Sequence, residues 1–480
     1  MILQSLRERL VLVLLALLPF HALFVTVLTK MIAGPGHAPM PLLAIWKEVL
    51  LLVILGVACV EMIRSSKKWS VVSGPHFTKA SRGRQWLASS LDIFDRIIIT
   101  LIFISFVLLI THHQSLTTFV FGFKYDLLPL LAFFILRRIP WSDQFQKSLT
   151  TILIVVGCII AAYGIIAEFL PLKFFVWLGY SDLHSLYSAN GPLAAFQQLE
   201  GGMMRRAQSV MSGPNQLGLW LLIPLGILLG EKDIGGAVSG KRLAGSTLLL
   251  IALLLTFSRA AWIAAAVMVS FAFIRSAGTP YRRKIFATVL GLFACLALAV
   301  AFLLPSVFFR INSSSDHIRK PVEAMRMMMT HPLGLGLGTA GPASNRFSDT
   351  CVHLPKDADF SWAKDRQDLC VFVDSVQVQP SDRVCSCPLL TENWYLQIGV
   401  ELGLIGLVLY VVLMILVLKR LALSTFRYLL LVFLGLSIAA LFLHAFEDSA
   451  VAYSVWVLLA VAFATLDVCQ HKSSRSQVRS

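Results

Sequence analysis

The chain has 480 residues, of which 57% are hydrophobic and only 14% are charged. Soluble domains carry about 25% charged residues, so the composition excludes a soluble globular enzyme, a disordered chain, a collagen and a coiled coil. The formal net charge is +15. We exclude nucleic acid as a partner, because the sequence has no basic stripe interleaved with exposed aromatic residues. Lysine and arginine instead crowd the cytoplasmic loops of membrane proteins, and the composition predicts an all-α, polytopic membrane protein.

The first apolar stretch, residues 10–29, follows Arg7 and Arg9 and is long for the apolar part of a signal peptide. No convincing small-residue cleavage site follows it, so it predicts a retained first helix. Further candidate spans are 42–63, 92–111, 116–136, 149–170, 214–230, 285–304, 393–418, 428–446 and 449–467.

The stretch 245–275 is ambiguous, because it is too long for one span and has Arg259 in its middle. Loop 64–90 is rich in lysine and arginine and is therefore predicted to be cytoplasmic. We count the spans onward from this loop. If 245–275 were a single helix, the basic cluster at 282–284 would lie outside, whereas two short helices return the cluster to the cytoplasm. A hairpin also keeps an arginine out of the bilayer centre. We therefore predict a hairpin, 12 spans in all and both termini in the cytoplasm.

This topology divides the chain into four parts. Residues 1–304 form the first nine spans and include an outer segment, 171–213. Residues 305–392 form a long extracytoplasmic loop, residues 393–467 the last three spans, and residues 468–480 a basic cytoplasmic tail. No internal repeat is apparent, which disfavours a transporter built from inverted repeats.

Four of the eight cysteines, Cys351, Cys370, Cys385 and Cys387, cluster in the long loop. In an extracytoplasmic loop, four cysteines predict two disulfides, for which three pairings exist. A bridge between Cys385 and Cys387 would be strained, so these two are expected to pair with Cys351 and Cys370. The spacing fits no standard zinc finger, and we expect no metal.

Two arginines on the predicted outer face are the main functional signal. Arg206 lies just before the span 214–230, and Arg259 lies at the tip of the predicted hairpin. An arginine held at that level can bind a phosphate at the lipid boundary through two parallel hydrogen bonds. The alternative is plain anchoring of each side chain among the lipid headgroups.

Carboxylates form a second group of candidates near the predicted outer face. Glu392 opens the span 393–418 and could accept a proton from a sugar hydroxyl, or could simply favour the helix N-terminus. Glu401 lies deeper and needs a buried partner. Glu447 and Asp448, near His444, could orient other groups or be solvated.

The glycine run, residues 331–342, lies in the long loop. It lacks the Gly-Lys-Ser/Thr of a nucleotide-binding loop, which excludes that function. It could bring backbone close to a ligand or form a structural turn.

Four segments, taken in order, resemble motifs of the O-antigen ligase and O-antigen polymerase superfamily over about residues 200–450. The segments are Arg206-Ala-x-Ser-x-x-x-x-Pro214-Asn215, Thr256-Phe257-Ser258-Arg259, His331-Pro332 with Gly334, Gly336 and Gly338, and Asn393-x-x-Leu396 with Glu401-Leu-Gly-Leu-Ile-Gly406. Members of this superfamily are membrane glycosyltransferases that act on lipid-diphosphate-linked glycans. The resemblance implies a GT-C-like fold, an inverting reaction and no metal or other cofactor.

The same resemblance implies roles for particular residues. Arg206 and Arg259 would engage the diphosphate of an undecaprenyl-linked donor. Glu392 stands where the family has a histidine that serves as base for the acceptor hydroxyl, and a carboxylate can do this work. Further substrate-binding residues are expected at Arg205, Asn215, Ser258, Asn393 and Glu401.

The expected function is therefore polymerisation or ligation of a lipid-linked polysaccharide on the outer face of the bacterial cytoplasmic membrane. The partners would be a lipid-linked oligosaccharide donor, membrane lipids, and a glycan, lipid A core or protein acceptor. Two alternatives remain open. A transporter of bicarbonate or another small anion would use the same arginines, and an inactive scaffold of an envelope-glycan complex would explain the missing histidine.

Overall fold

The structure, a computed structural model, describes residues 2–70, 91–181, 191–199, 204–230, 240–275 and 311–477. Short stretches within 346–375 are excepted, and isolated positions between 284 and 302 are included. Arg282, Arg283 and most of the predicted loop 64–90 and of the predicted span 285–304 lie outside the described residues.

The described part of the chain is mostly helical. Its α-helices are α1 (Ile2–Leu17), α2 (His21–Ala33), α3 (Pro41–Ala44), α4 (Trp46–Ser70), α5 (Ile93–Thr111), α6 (Leu116–Gly122), α7 (Leu128–Leu136), α8 (Asp143–Ala167), α9 (Leu172–Leu178), α10 (Pro214–Gly230), α11 (Gly240–Leu255), α12 (Arg259–Arg275), α13 (Ile311–Thr330), α14 (Gly341–Ser344), α15 (Trp394–Ala422), α16 (Arg427–Ala439) and α17 (Ser449–Gln477). Five strands form two small sheets, and they are β1 (Gln197–Gln198), β2 (Arg205–Arg206), β3 (Thr350–Leu354), β4 (Leu369–Val373) and β5 (Val376–Gln379).

Six helical segments among the described residues are long and apolar enough to cross a membrane. They are Ile2–Ala33, Ile93–Thr111, Leu116–Leu136, Asp143–Ala167, Trp394–Ala422 and Ser449–Asp467. The helices α10, α12 and α16 are also apolar but shorter. The fold class is therefore that of an α-helical, multi-pass membrane protein, as the composition predicts.

Capping residues explain where two of the helices begin, and α8 begins six residues before the predicted span 149–170. Asp92 and Asp95 form a capping box that starts α5, and the Ser142 hydroxyl accepts a hydrogen bond from the backbone N–H of Phe145 at the start of α8. Within the span 116–136, a π-helical turn at Phe123–Leu127 precedes Pro129, whose missing N–H cannot serve the regular helical ladder.

The predicted span 428–446 is too long at its end. Helix α16 stops at Ala439, and the irregular segment 440–448 follows. The carbonyl of Ala440 accepts the backbone N–H of Trp394, and that of Leu441 accepts Nδ2 of Asn393. These bonds to the start of α15 draw the chain out of the helix. Helix α17 continues through most of the predicted tail, residues 468–480, as far as Gln477.

Close approaches at glycines define how α10, α12 and α16 pack. Gly230 lies against Tyr428 and Gly226 against Val432, so α10 and α16 are antiparallel. Gly218 lies against Ala261 and Gly226 against Met268, so α10 and α12 are parallel. Pro214, Arg259 and Ala439 consequently lie at one end of the bundle, which we call the arginine end.

Buried ion pairs hold the opposite end of the helices together. Arg7 on α1 contacts Glu61 on α4 at 2.7 Å, and Arg137 after α7 contacts both Asp92 and Asp95 at the start of α5. A buried guanidinium group needs a carboxylate partner, since an unpaired buried charge is strongly destabilising.

The segment between the glycine run and α15 contains the three-stranded sheet. Strand β3 pairs in parallel with β4, and β4 pairs antiparallel with β5. Cys351 and Cys370 stand opposite each other on β3 and β4. Their disulfide partners are Cys387 and Cys385, respectively. The expectation of two disulfides between these pairs of cysteines is confirmed.

Candidate functional site

Arg206 joins three parts of the arginine end. Its strand β2 pairs with β1, which places Arg206 opposite Gln197. Nε of Arg206 donates to the carbonyl of Thr256 at 3.0 Å, Nη1 to Oε1 of Gln197 at 3.1 Å, and Nη2 to Oδ1 of Asn215 at 2.9 Å. The side chain is buried. The guanidinium group is therefore fixed in place before any ligand arrives.

The segment 245–275 folds as two helices, α11 and α12, with a three-residue turn at 256–258. Phe257 in this turn has a φ of +49°, which L-residues rarely adopt. Oγ1 of Thr256 accepts the backbone N–H of Ser258 at 3.2 Å, and the Ala207 N–H donates to the carbonyl of Leu255 at 2.9 Å. Arg259, half-buried, is the first residue of α12. Arg206 thus binds the first residue of this turn, and Arg259 follows its last residue.

The arginine end has the electrostatics of an anion site. Helices α10 and α12 both begin there, and unpaired backbone N–H groups give a helix N-terminus a partial positive charge. Two guanidinium groups add to that potential. Oγ of Ser258 is buried without a hydrogen-bond partner among the described residues, so it can still donate to a ligand.

Arg205 is turned away from Arg206, because successive side chains of a strand point to opposite faces. Its Nη1 donates to the carbonyl of Leu170 at 2.8 Å, and its guanidinium carbon lies 4.3 Å from the ring centre of Phe196. Asn215 is predicted to bind substrate. Its carboxamide oxygen accepts a hydrogen bond from Arg206, so Asn215 acts by positioning that arginine.

Glu392 lies in a second group of polar side chains, next to the start of α15. Its backbone has a φ of +51°, and its Oε1 lies 3.0 Å from Nζ of Lys320 on α13. Nδ1 of His317, one turn earlier on α13, lies 3.8 Å from Oε2. Glu392 therefore sits in an ion pair with Lys320, and its second carboxylate oxygen faces His317.

Asn393 caps α15 and connects it to the chain that follows α16. Its Oδ1 accepts the backbone N–H of Leu396 at 3.0 Å, and its Nδ2 donates to the carbonyl of Leu441 at 2.9 Å. Because α16 ends at the arginine end, this bond places Glu392 and Asn393 at the same end of the bundle as Arg206 and Arg259.

Glu401 is fully buried on α15 and binds the glycine run. Its Oε1 accepts the N–H groups of Gly338 and Ala340, at 2.9 and 3.1 Å. The helix breaks at Gly403, and Gly334 lies against the backbone there. The carbonyl of Glu401 accepts the N–H of Gly336, at 2.9 Å. The glycine run thus packs backbone against backbone, and Glu401 positions it without reaching the surface.

Beyond Glu392, a buried polar cluster joins two of the candidates from the sequence, His444 and Glu447, to Gln397 and Asp126, which are not among those candidates. Nδ1 of His444 lies 2.6 Å from Oε1 of Gln397, whose Nε2 donates to Oδ1 of Asp126 at 3.3 Å. Oε2 of Glu447 lies 4.0 Å from Nδ1 of His444. Asp126 could be identified from the sequence, because a carboxylate within an apolar span is costly and therefore indicates a functional site.

Burial sets the protonation of the groups in this cluster that lie outside the spans. It lowers the pKa of His444 to about 4, and nearby Glu392 opposes this only in part. Burial raises the pKa of Glu447 well above its usual value, and the neighbouring Asp126 adds to the effect. The pKa of Asp448 is raised for the same reason.

The described residues offer one group with metal-ligand spacing, formed by Asp349, Cys370 and Cys385. The two cysteines form a disulfide, so their sulfur atoms are not thiolate ligands. Asp349 instead pairs with Arg383 at 2.6 Å, which lowers the pKa of its carboxyl.

Neither a comparison with models of known protein families nor one with curated protein sequences finds a match for this chain. The class of protein is therefore defined by its fold, as a multi-pass helical membrane protein with a cationic site at one end.

Proposed function

We propose that this protein is a membrane glycosyltransferase of the O-antigen ligase and polymerase type, which uses an undecaprenyl-diphosphate-linked glycan as donor. The observation that supports this most is the pair Arg206 and Arg259, held at one turn beside two helix N-termini. When the glycosyl bond breaks, charge grows on the leaving diphosphate. Fixed guanidinium groups stabilise that charge more than they stabilise the ground state.

In this proposal the arginine end faces away from the cytoplasm of a bacterial inner membrane. The chain crosses the membrane 12 times, with both termini inside. The two disulfides support this orientation, because disulfides persist in oxidising compartments. Their segment ends at Glu392 and Asn393, which lie at the arginine end.

The proposed reaction uses this chain's own side chains throughout. The acceptor oxygen attacks the anomeric carbon, the bond from that carbon to the diphosphate oxygen breaks, and the electron pair leaves with the diphosphate. Glu392 takes the proton of the acceptor hydroxyl once the ion pair with Lys320 opens. The acceptor is a second glycan, a lipid A core or a protein.

The test uses purified protein in lipid nanodiscs, supplied with an undecaprenyl-diphosphate oligosaccharide, with the products resolved by size. Arg206→Ala and Arg259→Ala are compared with Arg427→Ala, which removes an exposed arginine from the opposite end of α16. We expect a ladder of products in the Arg427 variant and in the unaltered protein, and none in the other two.

The outcomes separate the candidate functions. Tight donor binding without products, lost in both site variants, indicates a ligase that lacks its acceptor. Products that persist in both site variants contradict the proposed site. Absence of donor binding contradicts glycosyl transfer, and the anion transporter then predicts uptake of bicarbonate into vesicles that depends on the same arginines.

A further inference from the structure

Helix α13 has an exposed apolar stripe that the proposed reaction does not use. Four apolar residues recur at spacings of three and four, which places them on one face of the helix: Ile318, Val322, Met325 and Met329. Leu333, just past the helix end, continues this row. Their exposed fractions run from 43% to 70%. A face of this kind on a soluble surface would be an aggregation hazard, so it needs a partner.

The two flanks of the stripe differ in character. On one flank, Ala324 and Met328 are buried against Val400 of α15, and Lys320 reaches Glu392. On the other flank, Arg319, Glu323, Arg326 and Thr330 are exposed. The helix therefore has a protein-facing side, an apolar side and a polar side that carries two arginines.

The apolar stripe continues onto a membrane-spanning helix. The backbone N–H of Leu404 on α15 donates to the carbonyl of Pro332, at 2.9 Å, so the end of the stripe meets α15 at the helix break. Beyond this point Ile405 and Val408 of α15 are each 60% exposed. Exposed apolar side chains on a spanning helix face lipid, so the same lipid surface meets α13.

We propose that α13 is an interfacial helix whose apolar stripe lies in the bilayer, with Arg319 and Arg326 among anionic lipid headgroups. An amphipathic helix with basic residues beside its apolar face binds such a surface through apolar burial and charge attraction. The contact with lipid thereby holds α13 in place, and α13 positions Lys320 against Glu392. This inference stands whether or not the protein transfers glycans.

The test measures the depth of labelled positions in the full-length protein. The free cysteines are first replaced by serine, and the two disulfides are kept oxidised. A fluorophore is attached at Met329→Cys or, as a second stripe position, at Ile318→Cys. The matched control is Glu323→Cys, on the polar side of the same helix. Each variant is placed in nanodiscs that contain phosphatidylglycerol with brominated acyl chains.

We expect quenching by brominated chains to be several-fold stronger at both stripe positions than at Glu323. Quenching by aqueous iodide should show the reverse order. Replacing brominated phosphatidylglycerol with brominated phosphatidylcholine should weaken the quenching at the stripe. In the double variant Arg319→Gln and Arg326→Gln, the two lipids should quench to the same extent.

Three results would overturn the proposal. The first is equal quenching by the brominated chains at stripe and control positions. The second is shielding from iodide that arises only after an undecaprenyl diphosphate is added, which would assign the stripe to the donor's tail. The third is shielding that is lost when each nanodisc holds one copy of the protein, which would assign the stripe to a second chain.

Discussion

Nδ1 of His444 lies 2.6 Å from the carboxamide oxygen of Gln397, and this contact fixes the tautomer of the imidazole. An amide oxygen only accepts hydrogen bonds, so Nδ1 carries the proton. Nε2 then holds a lone pair, buried without a hydrogen-bond partner among the described residues. Burial, which lowers the pKa of His444 to about 4, keeps the imidazole neutral at pH 7, and the carboxamide of Gln397 links it to Asp126.

The neutral state of His444 predicts sensitivity to acid. Its pKa is about 4 in the folded protein and about 6.5 in an unfolded chain. Between these values the unfolded chain binds more protons, so the free energy of unfolding falls as the pH drops from 6.5 to 4. The variant His444→Asn keeps an N–H toward Gln397 and should show a smaller fall, as measured by thermal unfolding in detergent. An unchanged pH slope in that variant would contradict the assignment.

Glu447 predicts the opposite dependence. Burial raises its pKa in the folded protein, so the folded state binds more protons than the unfolded state above pH 4.5. This contribution to stability is present at low pH and is lost as the pH rises through the folded pKa. Glu447→Gln should therefore stabilise the protein most at neutral and alkaline pH. Equal changes in the unfolding temperature at pH 5 and pH 8 would count against it.

Adding one methyl group to the glycine run should lower the free energy of unfolding strongly. Gly334 has a φ of +97°, and a Cβ there would meet the backbone of Glu401 and Gly403. Gly334→Ala should cost on the order of 3 kcal/mol of unfolding free energy, from backbone strain and the forced separation of the two segments. Gly56→Ala is the matched control, because Gly56 lies in α4 with open space around it, and this change should stabilise the protein by up to about 1 kcal/mol.

Removing the disulfides should loosen the sheet without unfolding the helices. The bridge Cys351–Cys387 spans a sequence separation of 36 residues and Cys370–Cys385 one of 15. Loops of these lengths gain about 3–4 kcal/mol each from the bridge. Cys351→Ser combined with Cys370→Ser should make residues 350–390 much easier to cleave in limited proteolysis. Cys158→Ser, a free thiol in α8, should leave the cleavage pattern unchanged.

Arginine at position 206 should not be replaceable by lysine. The Arg206 guanidinium bonds Thr256, Gln197 and Asn215 at once, which a single flexible ammonium group cannot reproduce. Arg206→Lys should lower the unfolding free energy by about 2 kcal/mol and abolish binding of the lipid-diphosphate donor. Arg427→Lys, at the opposite end of the bundle, should change neither quantity. Donor binding retained by Arg206→Lys would mean that charge alone suffices.

The sequence predicts helices well where apolar length and charge agree. The hairpin around Arg259 follows from the cost of an arginine at mid-bilayer. The strain of a Cys-x-Cys bridge excludes a bond between Cys385 and Cys387, but it leaves two pairings, between which only the structure decides. The start and end of α10 are as predicted, because Gly213-Pro214 and Gly230 bound an unbroken apolar run.

Other features depend on contacts between distant residues and leave no local pattern. Just past the end of α16, the carbonyls of Ala440 and Leu441 bind Trp394 and Asn393, across a separation of nearly fifty residues. The ion pair of Glu392 with Lys320 brings together two residues 72 positions apart. The break at Gly403 reflects packing by the glycine run, which sequence periodicity cannot reveal.

The tripeptide Cys385-Ser386-Cys387 holds both β3 and β4, because each of its cysteines bonds to a different strand. A cut in the chain between Leu354 and Leu369 would therefore leave two fragments joined through Cys387. A protease site inserted there would yield one band without reductant and two bands with it. Protease added to spheroplasts, which lack the outer-membrane barrier, would then report which side of the inner membrane this sheet occupies.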